Sequence, residues 1–414
     1  MKKILKDGTE KTFESRKASK IRLNPVMRKH WLGLLVFLLV PTVYWMGLLF
    51  QKYPALYEQL GAGNGLRFWI SRLTGLVPFS LGELVVIGHV IFVPIFVILL
   101  IVKMIKGGAL KWIYHIAVYL ALLYIGFMVL WGFNYSRMSI GDMMGLQVRP
   151  YAKEELYELT KSLIRSANAL RAEIPENATG VMTIPGGYSA VFEEAQAGYD
   201  AIDSDIPQLS GAYGRPKPVA LSQWMLYTNI TGVFFPYTAE ANVNVAVPDL
   251  LLPATTLHEM AHQRGFAPED EANFIAYLTA RTHPDPIFRY SGTMLALIHA
   301  YNALAAQDSA SAAELEALFS EGLRRDLDAQ NQFWKAYKGK ASETAEQVND
   351  AYLKSNHQVD GTKSYGRMVD WLIADYLANG NTSASIASVY NQSQCPVFLP
   401  LQSANTVESE VVAQ

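Results

Sequence analysis

His258-Glu259-Met260-Ala261-His262, followed at once by Gln-Arg-Gly-Phe-Ala-Pro-Glu-Asp-Glu-Ala-Asn273, decides how the rest of this chain is read. Residues four apart share a helix face, so both imidazoles can reach one ion. Glu259 falls beside that ion, where a carboxylate can take a proton from an attacking water, as in the HExxH arrangement of zinc enzymes. The flanks frame the helix. Pro253 suits the first helical position, where a missing N–H costs nothing, and Gly265 suits the left-handed residue that ends a helix. Ala254, His258, Ala261 and His262 lie along one side, with small Ala261 leaving room for an ion. Two histidines and a carboxylate are costly to bury unpaired on so short a helix, so the pattern favours a Zn2+ site over mere packing.

A catalytic zinc keeps three protein ligands and one open position. Pro268 predicts the start of a second helix with Glu269, Asp270 and Glu271 in its first turn. Acidic residues stabilise any helix N-terminus, but the short link from His262 lets this helix fold back antiparallel on the first. Glu269 would then be the third metal ligand, and Asn273, on the same face, would orient His258 from outside the ligand set. Glu271 shares its face with Ile275 and Leu278, which suggests the packed side; it stands as the alternative ligand.

Glu269-Asp-Glu-Ala-Asn273 resembles the E-x-x-A-D/N element that supplies the glutamate ligand in gluzincin-type metallopeptidases. The longer run from Gly232-Val-Phe-Phe-Pro-Tyr-Thr-Ala-Glu-Ala-Asn-Val-Asn244 to Phe274 is similar to a little-characterised family of bacterial membrane proteins. That family joins N-terminal membrane helices to a predicted metallopeptidase domain. The similarity extends back to Trp131-Gly-Phe-Asn-Tyr135 and forward to Ser364-Tyr-Gly-Arg-Met-Val-Asp370. It implies a peptidase without naming a substrate. The gap between the second histidine and the glutamate is much shorter than in better-known gluzincins.

The chain has 414 residues, 50% of them hydrophobic, and a formal net charge of −2, which gives no electrostatic case for nucleic acid. Met1 to His30 is basic and leads into Trp31–Phe50, which has no charged residue and is long enough to span a bilayer. No small-residue cleavage site follows, so it reads as an uncleaved anchor. Leu84–Val102 and Trp112–Phe133 are two further apolar runs, joined by a connection carrying Lys103, Lys106 and Lys111. The positive-inside rule places that connection and the N-terminus in the bacterial cytoplasm, and everything after Phe133 outside. Trp131 and Tyr135 fall where interfacial aromatics are expected. His89 and His115 lie inside predicted spans and Glu83 near the edge of one; hydrogen bonds between helices account for them without a transport path. Cys395 is the single cysteine, so no intrachain disulfide forms.

The predicted organisation is a basic cytoplasmic arm (1–30), a membrane domain with three transmembrane helices (31–133), an extracytoplasmic metallopeptidase domain (134–402) and a disordered tail (403–414). The fold class is α+β: three transmembrane helices, then a mainly helical zincin-like domain with a small sheet. Val219–Ser222, Gly232–Phe235 and Asn242–Val247 read as strands, the last alternating at period two. Asn242–Val247, just before the HExxH helix, is the candidate edge strand for pairing with extended substrate, which makes Asn242 and Asn244 candidate substrate-binding residues. Tyr365 and Arg367 are candidates to stabilise the oxyanion or bind substrate, with Tyr237 and His357 as weaker ones. The expected function is a membrane-anchored zinc metallopeptidase acting on peptides or envelope proteins, with Glu259 as general base and Zn2+ on His258, His262 and Glu269. The alternative is a non-catalytic envelope receptor or scaffold that keeps the fold and binds peptides.

Overall fold

The structure is a computed structural model and describes residues 25–60, 65–107, 109–202, 204–356 and 367–379, with 25–30 traced as backbone. The basic arm before residue 25, Cys395 and the tail from Ser403 lie outside the described residues. Helices of ten or more residues are labelled here. They are α1 (Pro25–Lys52), α2 (Gly65–Thr74), α3 (Leu81–Lys106), α4 (Ala109–Leu130), α5 (Lys153–Arg171), α6 (Leu252–Gln263), α7 (Glu269–Arg281), α8 (Pro286–Gln307), α9 (Glu321–Lys335), α10 (Lys340–Ser355) and α11 (Met368–Ala378).

The chain is mostly helical, with one small sheet and three helices long and apolar enough to cross a membrane: Trp31–Lys52 within α1, and all of α3 and α4. Their apolar side chains are largely exposed (Leu38, Val90 and Phe92 among them), as suits a lipid-facing surface. His89 on α3 meets the Tyr119 hydroxyl of α4, so this intramembrane histidine bonds between helices as expected.

The soluble part is built around α8, which packs on α5, α7 and α11, while α6 lies against α7 and the sheet. One core runs through these helices, from Leu156 and Ile164 on α5 to Leu257 on α6, Phe274 on α7 and Leu297 on α8. The sheet has three strands, β1 (Lys217–Pro218), β2 (Gly232–Phe235) and β3 (Glu240–Val243), in the order β1-β3-β2. β1 runs parallel to β3 and β2 antiparallel to it, with Gly232 opposite Val243 and Phe235 opposite Glu240.

This order corrects two strand expectations. Val219–Ser222 is not a strand: the register ends at Pro218 opposite Val243, one further bond runs from the Val219 N–H to the Val243 carbonyl, and Ser222 starts a short helix. The strand expected over Asn242–Val247 spans Glu240–Val243 and occupies the centre of the sheet. Its ladder groups are used on both sides, so it cannot take on another strand; β2 is the edge near the HExxH helix.

The segment between the first two spans, counted with the membrane part in the sequence reading, packs on the soluble part. Arg67 of α2 is buried and donates to the carbonyl of Gln263 at 3.2 Å and to Asn134 Oδ1 at 2.8 Å. Ser71 Oγ accepts from Gln263 Nε2 at 2.8 Å. The start of α3 is held in the same way. Glu240 Oε2 accepts from the Gly82 N–H at 2.8 Å, and Glu83 accepts from the N–H groups of Ala220 and Leu221. Residues 65–83 and the chain after Trp131 therefore share one end of the spans.

Candidate metal centre

α6 begins with Pro in its first turn and ends before Gly265, whose φ of +86° is the left-handed conformation that favours glycine. A Cβ there would also collide with the Arg67 guanidinium. Gln263 and Arg264 fasten this end. Gln263 Nε2 donates to Ser71, Gly214 and Ala239, and Arg264, fully buried over the Tyr199 ring, donates to the carbonyls of Leu209 and Gly211. Pro268 precedes α7, which folds back on α6.

This packing brings His258, His262 and Glu269 together, with one ligand atom from each lying within 4.8 Å of the others. Glu269 Oε2 is 3.2 Å from His258 Nε2 and 3.4 Å from His262 Nε2. His258 Nδ1 donates to Asn273 Oδ1 at 2.7 Å, and His262 Nδ1 donates to the Phe266 carbonyl at 2.7 Å. Those oxygens can only accept, so each Nδ1 carries a proton and each Nε2 faces the carboxylate. Three possible ligand atoms thus face one another across a short gap. Tetrahedral zinc with bonds of about 2.0–2.1 Å separates its ligand atoms by roughly 3.3–3.4 Å, so the donor set fits a metal ion.

The electrostatics carry the same demand for positive charge. Burial opposes ionisation of Glu269, yet the two imidazoles hold it well below the usual carboxylate range. Burial likewise disfavours charge on His262, but Glu269 outweighs it and pushes the ring up to about 9. Glu259 is 4% exposed, with Oε2 buried and unpartnered. Burial raises it to about 7 against the pull of the histidines. Gly232 of β2 lies over it so closely that a Cβ would come within 2.4 Å of Glu259 Oε1.

Glu271, the alternative ligand, is placed elsewhere. It is buried, accepts from the Ile140 N–H at 2.9 Å and does not belong to the ligand cluster, because two residues along a helix turn the side chain to a different face. Asn242 in β3 and Asn244 just after it are buried, and their amide groups donate to the carbonyls of Val233, Glu240 and Ile230. Tyr237 donates to the Leu123 carbonyl on α4 and ties the β2–β3 turn to that span. Arg367 ion-pairs with Asp270 at 3.5 Å beside the first turn of α7. Tyr365 and His357 lie outside the described residues.

Sequence reasoning did not place several residues at the site. Trp131 is 4% exposed; its ring stands edge-on to His262 at 5.4 Å, and its Nε1 donates to the Tyr352 hydroxyl at 2.8 Å. Burial and nearby Glu269 raise the pKa values of both Tyr352 and Tyr135. His299 of α8 is lowered to about 4 by burial and by His258, so it is a neutral imidazole close to a ligand. Pattern reading cannot reach these residues, because each meets the site through tertiary packing alone.

No curated protein and no solved structure matches the chain. A family model does: residues 64–373, or 310 of the 414, match the family described as "Protein of unknown function (DUF3810)", and the chain belongs to that family.

Proposed function

We propose that the protein is a membrane-anchored zinc metallopeptidase with a zincin-like, gluzincin-type site at the outer face of the bacterial cytoplasmic membrane. One observation carries the reading: one possible ligand atom from each of His258, His262 and Glu269 meets the others within 4.8 Å, and the helix of the two histidines also carries the buried, unpartnered carboxylate oxygen of Glu259. Zinc, when bound, lowers the pKa of a water and polarises the scissile carbonyl. Asn273 and the Phe266 carbonyl fix the two imidazoles in the tautomer that ligation needs. Glu259 Oε2 accepts the proton of the attacking water and later passes it to the leaving amine. β2, an edge strand lying on Glu259, pairs the extended substrate. Tyr352 accepts from Trp131 and keeps its own proton to donate to the developing oxyanion.

The outward orientation rests on Lys103, Lys106 and Lys111 between the second and third spans and on the basic arm before the first. The packing of 65–83 with the chain after Trp131 agrees with two spans, α3 and α4, between them. Metal analysis of the full-length protein in detergent, with a peptide library as substrate, tests the function. One zinc per chain and cleavage lost in Glu259→Ala support it. Carefully prepared protein without stoichiometric zinc, or equal cleavage by the variant, overturns it.

A further inference from the structure

The helix α2 is amphipathic in the reverse sense. Its polar residues Arg67 and Ser71 are buried against the soluble part, where both meet Gln263, the last residue of α6. On the opposite face Leu66 is exposed, and Trp69 and Leu73 are 63% and 66% exposed. The apolar exposure continues past the helix at Leu76, 81% exposed, and at Phe79. It then runs on into α3, where Leu84 and Val86 are exposed. Arg72 flanks the apolar face, with its guanidinium 5.5 Å from the centre of the Phe68 ring.

Lys217 and Glu240 set the height of this face. Lys217 Nζ donates to the carbonyl of Thr74 at 2.9 Å, to that of Phe79 at 3.2 Å, and to that of Val77. The last residue of α2 and the residue before the α3 cap thus meet at one ammonium group. Glu240, ion-paired with that ammonium, accepts from the Gly82 N–H in the first turn of α3. α2 therefore ends at the level where α3, the second of the membrane-length helices, begins. The same lysine satisfies carbonyls of the link between them, as backbone at membrane depth requires.

We propose that α2 and residues 76–79 lie in the headgroup–acyl boundary of the bilayer, with the apolar face toward hydrocarbon and the Arg67–Ser71 face on α6. The bilayer surface then carries the end of the helix that holds both histidines. Large apolar side chains gathered on one exposed face mark a contact surface, and a water-facing helix would bury them instead. The bilayer is the occupant because the face adjoins the exposed surface of α3 and stands at its entry level. A Trp and Leu face with a basic flank is the pattern of helices that lie in the interface plane. The seat rests on α3 crossing the membrane, and neither on the metal nor on which side the soluble part stands.

The test uses the full-length protein with Cys395→Ser, in phosphatidylcholine nanodiscs. Leu66→Cys, Leu73→Cys and Leu76→Cys each carry a nitroxide, with Val90→Cys on α3 as the lipid reference. Leu318→Cys, exposed on the soluble part beside Asn168 of α5, is the water reference. Power-saturation electron paramagnetic resonance compares collisions with oxygen and with a water-soluble nickel chelate. Leu73 and Leu76 should favour oxygen and report depths of about 5–10 Å, between the two references. Nickel access there equal to that at Leu318, with Val90 in lipid, overturns this proposal alone. Shielding from both reagents overturns it as well: with dipolar broadening between copies it gives the face to a second chain, and without broadening to another segment of the same chain. Nickel access at Val90 overturns the proposal together with the spanning reading of α3.

Discussion

The helices that present the metal ligands and the helix that overhangs them are built in opposite ways. α6 buries ten of its twelve residues and α7 ten of its thirteen. α10, which brings Tyr352 to the same place, buries one residue of sixteen, Leu353. Ligand positions are therefore fixed by the core, with rotamers and tautomers locked by packing and by bonds from Asn273 and Phe266. The helix α10 instead packs against the turn at Leu226–Thr228 and is tied to Trp131 through Tyr352, and most of its side chains face outward.

The strongest way to break this contrast is to remove a core-held ligand. Glu269→Gln should lower zinc affinity by more than about 100-fold and abolish cleavage, read by competition with a zinc chelator. If zinc remains, the ligand set is wrong. Asn273→Ala leaves all three ligands but frees the His258 ring, and should weaken zinc by about 10–100-fold. Unchanged affinity would mean that packing alone orients His258.

Leu353→Ala probes the other side of the comparison. It should speed limited proteolysis within α10 by about tenfold while zinc affinity stays within about twofold. Zinc loss in this variant would show that α10 and the centre form one cooperative unit.

The smallest effect concerns Glu271. Burial, reinforced by Asp270, raises its carboxyl from the ordinary 4.5 to about 8. Between those pH values the unfolded chain has released this proton and the folded protein has not, so stability falls as pH rises through the window. Glu271→Gln keeps an acceptor for the Ile140 N–H and removes that loss. It should retain zinc, be more stable than wild type by about 1–2 kcal/mol at pH 8, and show no gain at pH 4 in thermal melts. A pH-independent difference would mean that packing, not ionisation, sets the change.

What was legible in the sequence was what neighbours in the chain decide. The HExxH spacing, Pro253, Gly265 and Pro268 act within one or two turns, and α6 and α7 lie where those signals put them. Three apolar helices follow from uninterrupted hydrophobic runs. The choice between Glu269 and Glu271 turned on which face of α7 meets α6, and the i, i+4 relation to Asn273 pointed to it. Sheet order was not legible, because strands of two to four residues carry no pairing information and β1 comes from a loop rich in turn formers. Tyr352 and Trp131 are 221 positions apart, and no local pattern joins them. α2 was missed since its buried Arg67 and Ser71 look like a solvated face until their distant partners are known.

Arg67 also sets a timetable. It binds the carbonyl of Gln263, a residue 196 positions later in the chain. At about 5–20 residues per second, that partner is synthesised roughly 10–40 s after the arginine. Two other partners, the Leu130 carbonyl and Asn134 Oδ1, come only 63 and 67 positions after it, so the guanidinium is partly satisfied before Gln263 is made. The bond to Gln263 is thus the last of these contacts to form. A shortened chain that began after the third span would keep His258, His262, Glu269 and Trp131 yet lack Arg67 and Ser71, and with them the bonds that hold Gln263 at the end of α6.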